Sequence, residues 1–270
     1  MQGARASNEP GSESQPSAER GAAIVTGAGR GIGLAAAQAL SRAGFKVALA
    51  SLEETPESSA GACDAKSSLY HRFDVADVER HAELLDRVER ELGPVTCLVN
   101  NAGVSSLVRG DVLDLAQESF DRCVAVNLRG TFFLTQAVAR RWIAGGTSRF
   151  YRSILTISSV NAQMVGENRA DYCITKSALE MMTKLFAVRL SEAQIGVFEI
   201  RPGIIRTAMT APATDKYDAF IRSGGVPMNR WGSPEDVAQA VVTLATGGFA
   251  FATGMHVDID GGLHVHRLKG

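Results

Sequence analysis

The chain has 270 residues, 28 Lys and Arg against 29 Asp and Glu, a formal net charge of -1 and 45% apolar residues. A single domain of that length buries roughly three quarters of its unfolded surface and needs no disulfide or metal staple. The balanced charge without a basic block excludes a phosphate-neutralising nucleic-acid groove. Apolar runs such as Ile154 to Ile157 and Val241 to Ala245 fall far short of the roughly 20 residues of a membrane span.

Met1 to Arg20 is Gly, Ser, Glu, Pro, Gln and Ala with almost no large apolar side chain. Such a segment cannot offset the entropy of ordering, so it is expected to be a flexible tail. Glu9, Glu13 and Glu19, and the lack of an apolar h-region, argue against a targeting peptide. The domain is therefore expected to run from 21 to 270. Cys63, Cys97, Cys123 and Cys173 lie far apart with no Cys-x-x-Cys pair and no clustered ligands. They read as reduced thiols of a cytoplasmic protein, and no metal site is expected.

From residue 21 onward, short apolar runs alternate with helical patterns, the mark of β-α-β units around a parallel sheet. Seven strands are expected: Ala22 to Thr26, Phe45 to Ala50, Leu69 to Phe73, Cys97 to Asn100, Ser153 to Ser158, Gly196 to Ile200 and His256 to Ile259. Val78, Ala82, Leu85, Val88 and Leu92, and again Leu179, Met182, Phe186 and Leu190, recur at helical spacing and mark faces packed on the sheet. The sequence thus predicts one doubly wound α/β domain of Rossmann type, mostly parallel, with ligands at the carboxyl ends of its strands. Ala208 to Arg230 interrupts the alternation with Pro212, Pro227, Gly224 and Gly225 among Met209, Tyr217, Phe220 and Met228. It reads as a lid over a substrate, or as a helical hairpin that only packs on the body.

Chemistry concentrates in two places. Directly after the first strand comes Thr26-Gly27-Ala28-Gly29-Arg30-Gly31-Ile32-Gly33, then the helix-forming run Leu34 to Leu40. Glycines there let a pyrophosphate approach amide N–H groups at a helix N-terminus. The second place is Ser159 with Tyr172 and Lys176. Residues four apart share a helix face, so the Lys176 ammonium can lie beside the Tyr172 phenol and favour its phenolate. Ser159, at a strand end, can hydrogen-bond the same substrate oxygen.

With Asn100-Asn101-Ala102-Gly103, Val126-Asn127-Leu128 and Arg201-Pro202-Gly203-Ile204-Ile205-Arg206-Thr207, these pieces resemble the short-chain dehydrogenase/reductase family over nearly all of 21 to 265. Within it the chain looks most like bacterial proteins labelled 3-oxoacyl-acyl-carrier-protein reductase. The resemblance implies Tyr172 as general acid/base, Ser159 as the group that positions the carbonyl or hydroxyl, and Lys176 as the holder of the nicotinamide ribose. It gives Asn127 a place in a water-mediated proton relay, although a buried Asn can also simply brace a helix. It further implies a cofactor surface made by Gly27, Arg30, Gly31, Ile32, Gly33, Ser51, Asp74, Val75, Asn101, Ala102, Gly103, Pro202, Gly203, Ile205 and Thr207 together with Tyr172 and Lys176. Asn100 is implied to line the adenosine side.

Family members that use NAD usually present an Asp at the end of the second strand, and here Ser51 stands in its place. With Arg30 near and Glu53 expected to face solvent at the start of a polar loop, the expected cofactor is NADP(H), with NAD possible in principle. The expected reaction is hydride transfer between that cofactor and a carbonyl or secondary alcohol, in one form a 3-oxoacyl reduction. The alternatives are an NAD-dependent sugar or polyol dehydrogenase and a cofactor-binding scaffold without turnover. Met164, Met209, Tyr217, Phe220 and Met228 suit a partly apolar ketone, whereas Asn161, Gln163 and Asn168 suit a hydroxylated one. Apolar residues on several sides of the helices within Gln117 to Ala144 and Ala170 to Glu192, among them Phe132, Phe133, Leu134 and Val138, predict a homo-oligomer, most simply a homotetramer.

Overall fold

A computed structural model describes residues 19–57, 63 and 66–266. Most of the expected tail lies outside the described residues. Arg20 does not belong to it: its Nε donates to the Ala43 carbonyl at 3.0 Å, and its own carbonyl accepts from Thr96 Oγ1 at 2.6 Å.

All seven strands form one sheet: β1 (Ala22–Thr26), β2 (Lys46–Ser51), β3 (Ser68–Arg72), β4 (Val95–Asn100), β5 (Arg152–Ile157), β6 (Ile195–Pro202) and β7 (His256–Ile259). Their order is β3-β2-β1-β4-β5-β6-β7, and every pairing is parallel, where a mostly parallel sheet was expected. The winding reverses between β1 and β4, which opens a crevice at the carboxyl ends of those two strands.

Alternate residues of each strand feed opposite layers. Ala22 and Ile24 of β1 pack with Leu84, Leu85 and Val88 of α2 (His81–Leu92) and with Leu134, Val138 and Trp142 of the long helix described next. Ala23 and Val25 pack with Leu34, Ala37 and Leu40 of α1 (Gly31–Arg42). Covering both faces explains why the strands read as continuous apolar runs rather than alternating ones.

The connection from β4 to β5 is one long helical run. It begins as α3 (Gln117–Cys123), widens into a π-helical stretch over Val124–Gly130, and continues as α4 (Thr131–Ala144). The backbone passes so close to the loop after β3 that a Cβ on Gly130 would stand 2.3 Å from the Val75 carbonyl oxygen. Glycine is required there by the approach itself. The widened turns seat Asn127, buried, against the helix α5 (Ala170–Leu190) that carries Tyr172 and Lys176. The remaining helices are α6 (Thr214–Arg222) and α7 (Pro234–Ala245), the latter opened by a capping box in which Ser233 and Asp236 bond each other's backbone N–H. No helix among the described residues is long and apolar enough to cross a membrane.

Candidate active site

A cleft of about 570 Å³ runs along the carboxyl ends of the strands. Its first wall is the glycine turn after β1. A Cβ on Gly33 would stand 2.2 Å from the Gly27 carbonyl oxygen, so the turn and the first turn of α1 can close on each other only with glycine at 33. Thr26 Oγ1 accepts the N–H groups of Asn101 and Ala102, both at 3.0 Å, while Asn101 Nδ2 donates to the carbonyls of Thr26 at 2.9 Å and Gly27 at 3.1 Å. The ends of β1 and β4 are thereby locked together. The result is a cradle of backbone amides at a helix N-terminus that fits a dinucleotide pyrophosphate.

Of the residues expected around a cofactor, Gly27, Arg30, Gly31, Ile32, Gly33, Ser51, Asp74, Val75, Asn101, Ala102, Gly103, Pro202, Gly203, Ile205 and Thr207 all line this cleft. Asn100 does not. It is buried, with Nδ2 donating to Thr135 Oγ1 at 2.8 Å, because alternation along β4 turns it away from the face that Asn101 meets.

The end of β2 departs from expectation. Glu53 turns inward: the Ser51 hydroxyl donates to its carboxylate, Arg30 Nε lies 3.3 Å away, and Ser51 Oγ accepts Gly29 N–H at 3.1 Å. Tyr70 fixes the strand-end backbone by donating its hydroxyl to the Glu53 carbonyl at 2.9 Å. The Ser51 hydrogen bond and the Arg30 charge hold the Glu53 carboxyl below its ordinary pKa. A solvated Glu53 is therefore corrected to a carboxylate seated beside the glycine turn.

On the opposite wall, Ser159, Tyr172 and Lys176 converge. Ser159 Oγ accepts the Asn161 N–H at 3.1 Å, and its hydroxyl hydrogen is directed to the Tyr172 phenol oxygen. Lys176 Nζ donates to the Ile157 carbonyl at 2.9 Å and lies 5.5 Å from the Tyr172 ring centroid. Burial pushes Lys176 down to about 8, opposed by the charge of Glu199. Burial also raises the Tyr172 phenol, and the Ser159 hydrogen bond and the Arg169 charge offset only part of that rise. The expected lowering of Tyr172 by Lys176 is thus corrected: burial leaves the phenol above its ordinary value, with the Ser159 hydrogen bond and the Arg169 charge as the opposing influences.

Asn127 stands behind the cleft rather than in its lining. Its Oδ1 accepts the Val104 N–H at 2.8 Å, and its Nδ2 donates to the Val104 carbonyl at 3.0 Å and to Thr175 Oγ1 at 3.1 Å. Asn161, Met164, Met209, Tyr217 and Phe220 line the substrate half, whereas Gln163, Asn168 and Met228 do not. Asn161 Nδ2 is also engaged, donating to the Met164 carbonyl at 2.8 Å.

Two buried carboxylates escaped the sequence reading. Asp171, with no exposed surface, accepts from Ser119 Oγ at 2.6 Å, from Tyr172 N–H at 2.7 Å, from Ser106 Oγ and from Cys123 Sγ at 3.4 Å. Burial pushes its carboxyl up, but these donors outweigh it and hold the group below the usual range. Cys123 is pushed up to about 12 by burial and by Asp171, so it stays a thiol and a donor. Glu199 accepts from Ser158 and from Arg201 Nε at 2.9 Å and Nη2 at 3.0 Å, beneath the strand end that holds Lys176. An acid directly before Tyr172, in the first turn of the helix, is the sequence signal that could have found Asp171.

A family model described as Enoyl-(Acyl carrier protein) reductase matches residues 27–264. The crystal structure of 3-oxoacyl-[acyl-carrier protein] reductase from Brucella melitensis in complex with NAD superposes with a TM-score of 0.88 at 46% identity, covering 93% of this chain and 99% of that one. L-xylulose reductase of Mesocricetus auratus is 34% identical over 90% of this chain and 96% of its own length. Gluconate 5-dehydrogenase of Gluconobacter oxydans is 31% identical over 90% and 94%.

Replacing Asp171 by Asn removes the charge that its donors are arranged around. The Asp171→Asn variant is expected to be less stable by about 1–3 kcal/mol at pH 7, read from urea denaturation. A carboxyl held low contributes stability above its unfolded pKa and loses it as pH falls through the folded value. The gap between variant and wild type should therefore close below about pH 4. A gap that is constant across that range would contradict the assignment.

Proposed function

The chain belongs to the short-chain dehydrogenase/reductase family, whose named relatives interconvert CH-OH and carbonyl groups with a nicotinamide cofactor, and from that premise we propose the residue roles, cofactor preference and assembly of this oxidoreductase. The observation that carries the reading is the convergence of Ser159, Tyr172 and Lys176 on one cleft with the glycine cradle opposite. The cradle and Lys176 would hold the nicotinamide cofactor, which would supply or accept the hydride when bound. Tyr172 holds the proton that passes to or from the substrate oxygen. Ser159 turns its hydroxyl hydrogen to the same oxygen when substrate is bound and polarises the carbonyl. Lys176 has given one N–H to Ile157, which leaves two for ribose hydroxyls. Asn127 spends both ends of its amide on Val104 and Thr175, which favours bracing of the loop after β4 over a side-chain relay.

The preferred cofactor is NAD(H). A 2′-phosphate at the end of β2 would meet the Glu53 carboxylate, whereas a 2′-hydroxyl could donate to it. At about 8 Å and an effective dielectric near 20 the repulsion is roughly 2 kcal/mol per pair of unit charges. Arg30, which was expected to greet the phosphate, already faces Glu53.

The segment 208–230 acts as the lid. A short turn over Ala211–Ala213 leads into α6, and Met209, Tyr217 and Phe220 face the cleft from it. Assembly runs through α4 and α5, where Ile174, Met181, Leu185 and Val188 leave a stripe of one helix face in solvent beside Phe133 and Ile143. A second copy of the chain covers that stripe.

The Tyr172→Phe variant should lose at least about 100-fold in turnover of an active ketone while its cofactor affinity, read by fluorescence titration, stays within a few fold. Near wild-type turnover when chemistry limits the rate would reject the assignment. With one carbonyl substrate, kcat/KM for NADH should exceed that for NADPH by about tenfold or more, and Glu53→Gln should narrow the ratio; a preference for NADPH in the wild type would overturn the reading of Glu53. Light scattering at micromolar concentration should return a multiple of the 28.6 kDa chain mass, and a monomer would reject the covered stripe.

A further inference from the structure

The substrate half of the cleft carries cations with no acidic partner. Arg109, Arg122, Arg169 and Lys216 all line it, and none of them makes an ion pair among the described residues. The acids in the lining are Glu53 and Asp74, both on the cofactor side. Arg141 is paired with Asp86 and Glu89, Arg201 with Glu199 and Glu180, and Arg152, which has no acid beside it, gives its Nη1 to the Trp142 and Gly146 carbonyls. Arg169 has no such relief. Its Nε is buried without a hydrogen-bond partner, and its Nη2 reaches only the Tyr217 hydroxyl at 3.4 Å. Arg122 spends one Nη1 contact on the Ser105 carbonyl at 3.3 Å.

We propose that this cluster, with Arg169 at its centre, binds an oxyanion carried by the substrate, so that the enzyme acts on an anionic keto or hydroxy compound. A half-buried guanidinium whose Nε–H is out of solvent and unused calls for an acceptor, and a planar fork fits a carboxylate, sulfonate or phosphate. The field at the site is positive: although burial pushes the Tyr217 phenol up, Arg169 and Arg109 bring it below its ordinary value. Met164, Met209, Phe220 and Leu263 line the same cleft and suit a short apolar spacer. The proposal rests on the oxidoreductase reading of the same cleft and names its substrate class.

The test uses 3-oxobutanoate, 4-oxopentanoate and 5-oxohexanoate against their methyl esters, with hydroxyacetone phosphate against hydroxyacetone as the phosphate arm. At least one anion should exceed its neutral partner by tenfold or more in kcat/KM. The Arg169→Gln and Lys216→Gln variants should remove that advantage by raising KM for the anion at least tenfold while KM for the neutral partner stays within a few fold. A separate measurement does not depend on turnover: glutarate, and in parallel inorganic phosphate, titrated into cofactor-loaded enzyme. Trp231, packed edge-on to Tyr217 at 5.6 Å, supplies the fluorescence signal. Binding that weakens at least tenfold in Arg169→Gln supports the site, even if no ketone is turned over and the oxidoreductase reading fails. Neutral partners, or a neutral 3-oxobutyryl thioester, reduced better than every anion would overturn the proposal. So would anion binding indifferent to both substitutions, or no anion binding at all.

Discussion

A carboxylate that folding removes from water must be given donors, and Asp171 makes that demand of three separate parts of the chain at once. Its oxygens gather the hydroxyl of Ser106 from the loop after β4, the hydroxyl of Ser119 and the thiol of Cys123 from α3, and the first N–H of Tyr172 from α5. An unpaired buried charge would be far too costly to tolerate, so these segments are held in register with one another. The backbone N–H that Asp171 fixes belongs to Tyr172 itself. One turn further along α5, Lys176 is held by the Ile157 carbonyl above the Glu199–Arg201 pair. Tyr172 and Lys176 thus each stand near a buried carboxylate, Asp171 at the start of the helix and Glu199 on β6.

The same logic of satisfied and unsatisfied charge divides the cleft. On the cofactor side Glu53, Ser51 and Arg30 satisfy one another, and Glu53 lies against the glycine turn with a defined orientation. On the substrate side the cations outnumber the acids in the lining, and Arg169 keeps a buried N–H unused. Protein interiors complete their hydrogen bonds wherever the chain can supply a partner. A polar group left incomplete inside a binding cleft points to a partner that arrives from outside.

The architecture was legible in the sequence because it depends on period and punctuation. Continuous apolar runs gave all seven strands to within a residue or two, and the Gly27 to Gly33 spacing located the cradle. Side-chain direction past a strand end was not legible. Glu53 follows β2 in a polar stretch that reads as solvent-facing, and it turns inward because Ser51 and Arg30 await it while Tyr70, from the neighbouring strand, fixes its backbone. Asn100 and Asn101 are adjacent in sequence but opposite in the pleat, so one braces α4 and the other the glycine turn. The substrate cations were missed because Arg109, Arg122, Arg169 and Lys216 are scattered over a hundred residues with no common motif, and only the fold assembles them.

Arg169 then joins the two halves of the chemistry. Its charge is among the forces that lower the Tyr172 phenol against the upward push of burial. In the direction of carbonyl reduction the phenol must keep its proton until hydride arrives, and an uncompensated cation nearby works against that. An oxyanion seated on Arg169 would cancel that opposing charge, add to the upward push of burial that already prevails, and hold Tyr172 more firmly protonated. In the direction of alcohol oxidation the product still carries the anion, so both directions would proceed with Arg169 compensated. The acid strength of Tyr172 would then depend on whether the correct substrate is bound, through an electrostatic contact rather than a movement of the chain.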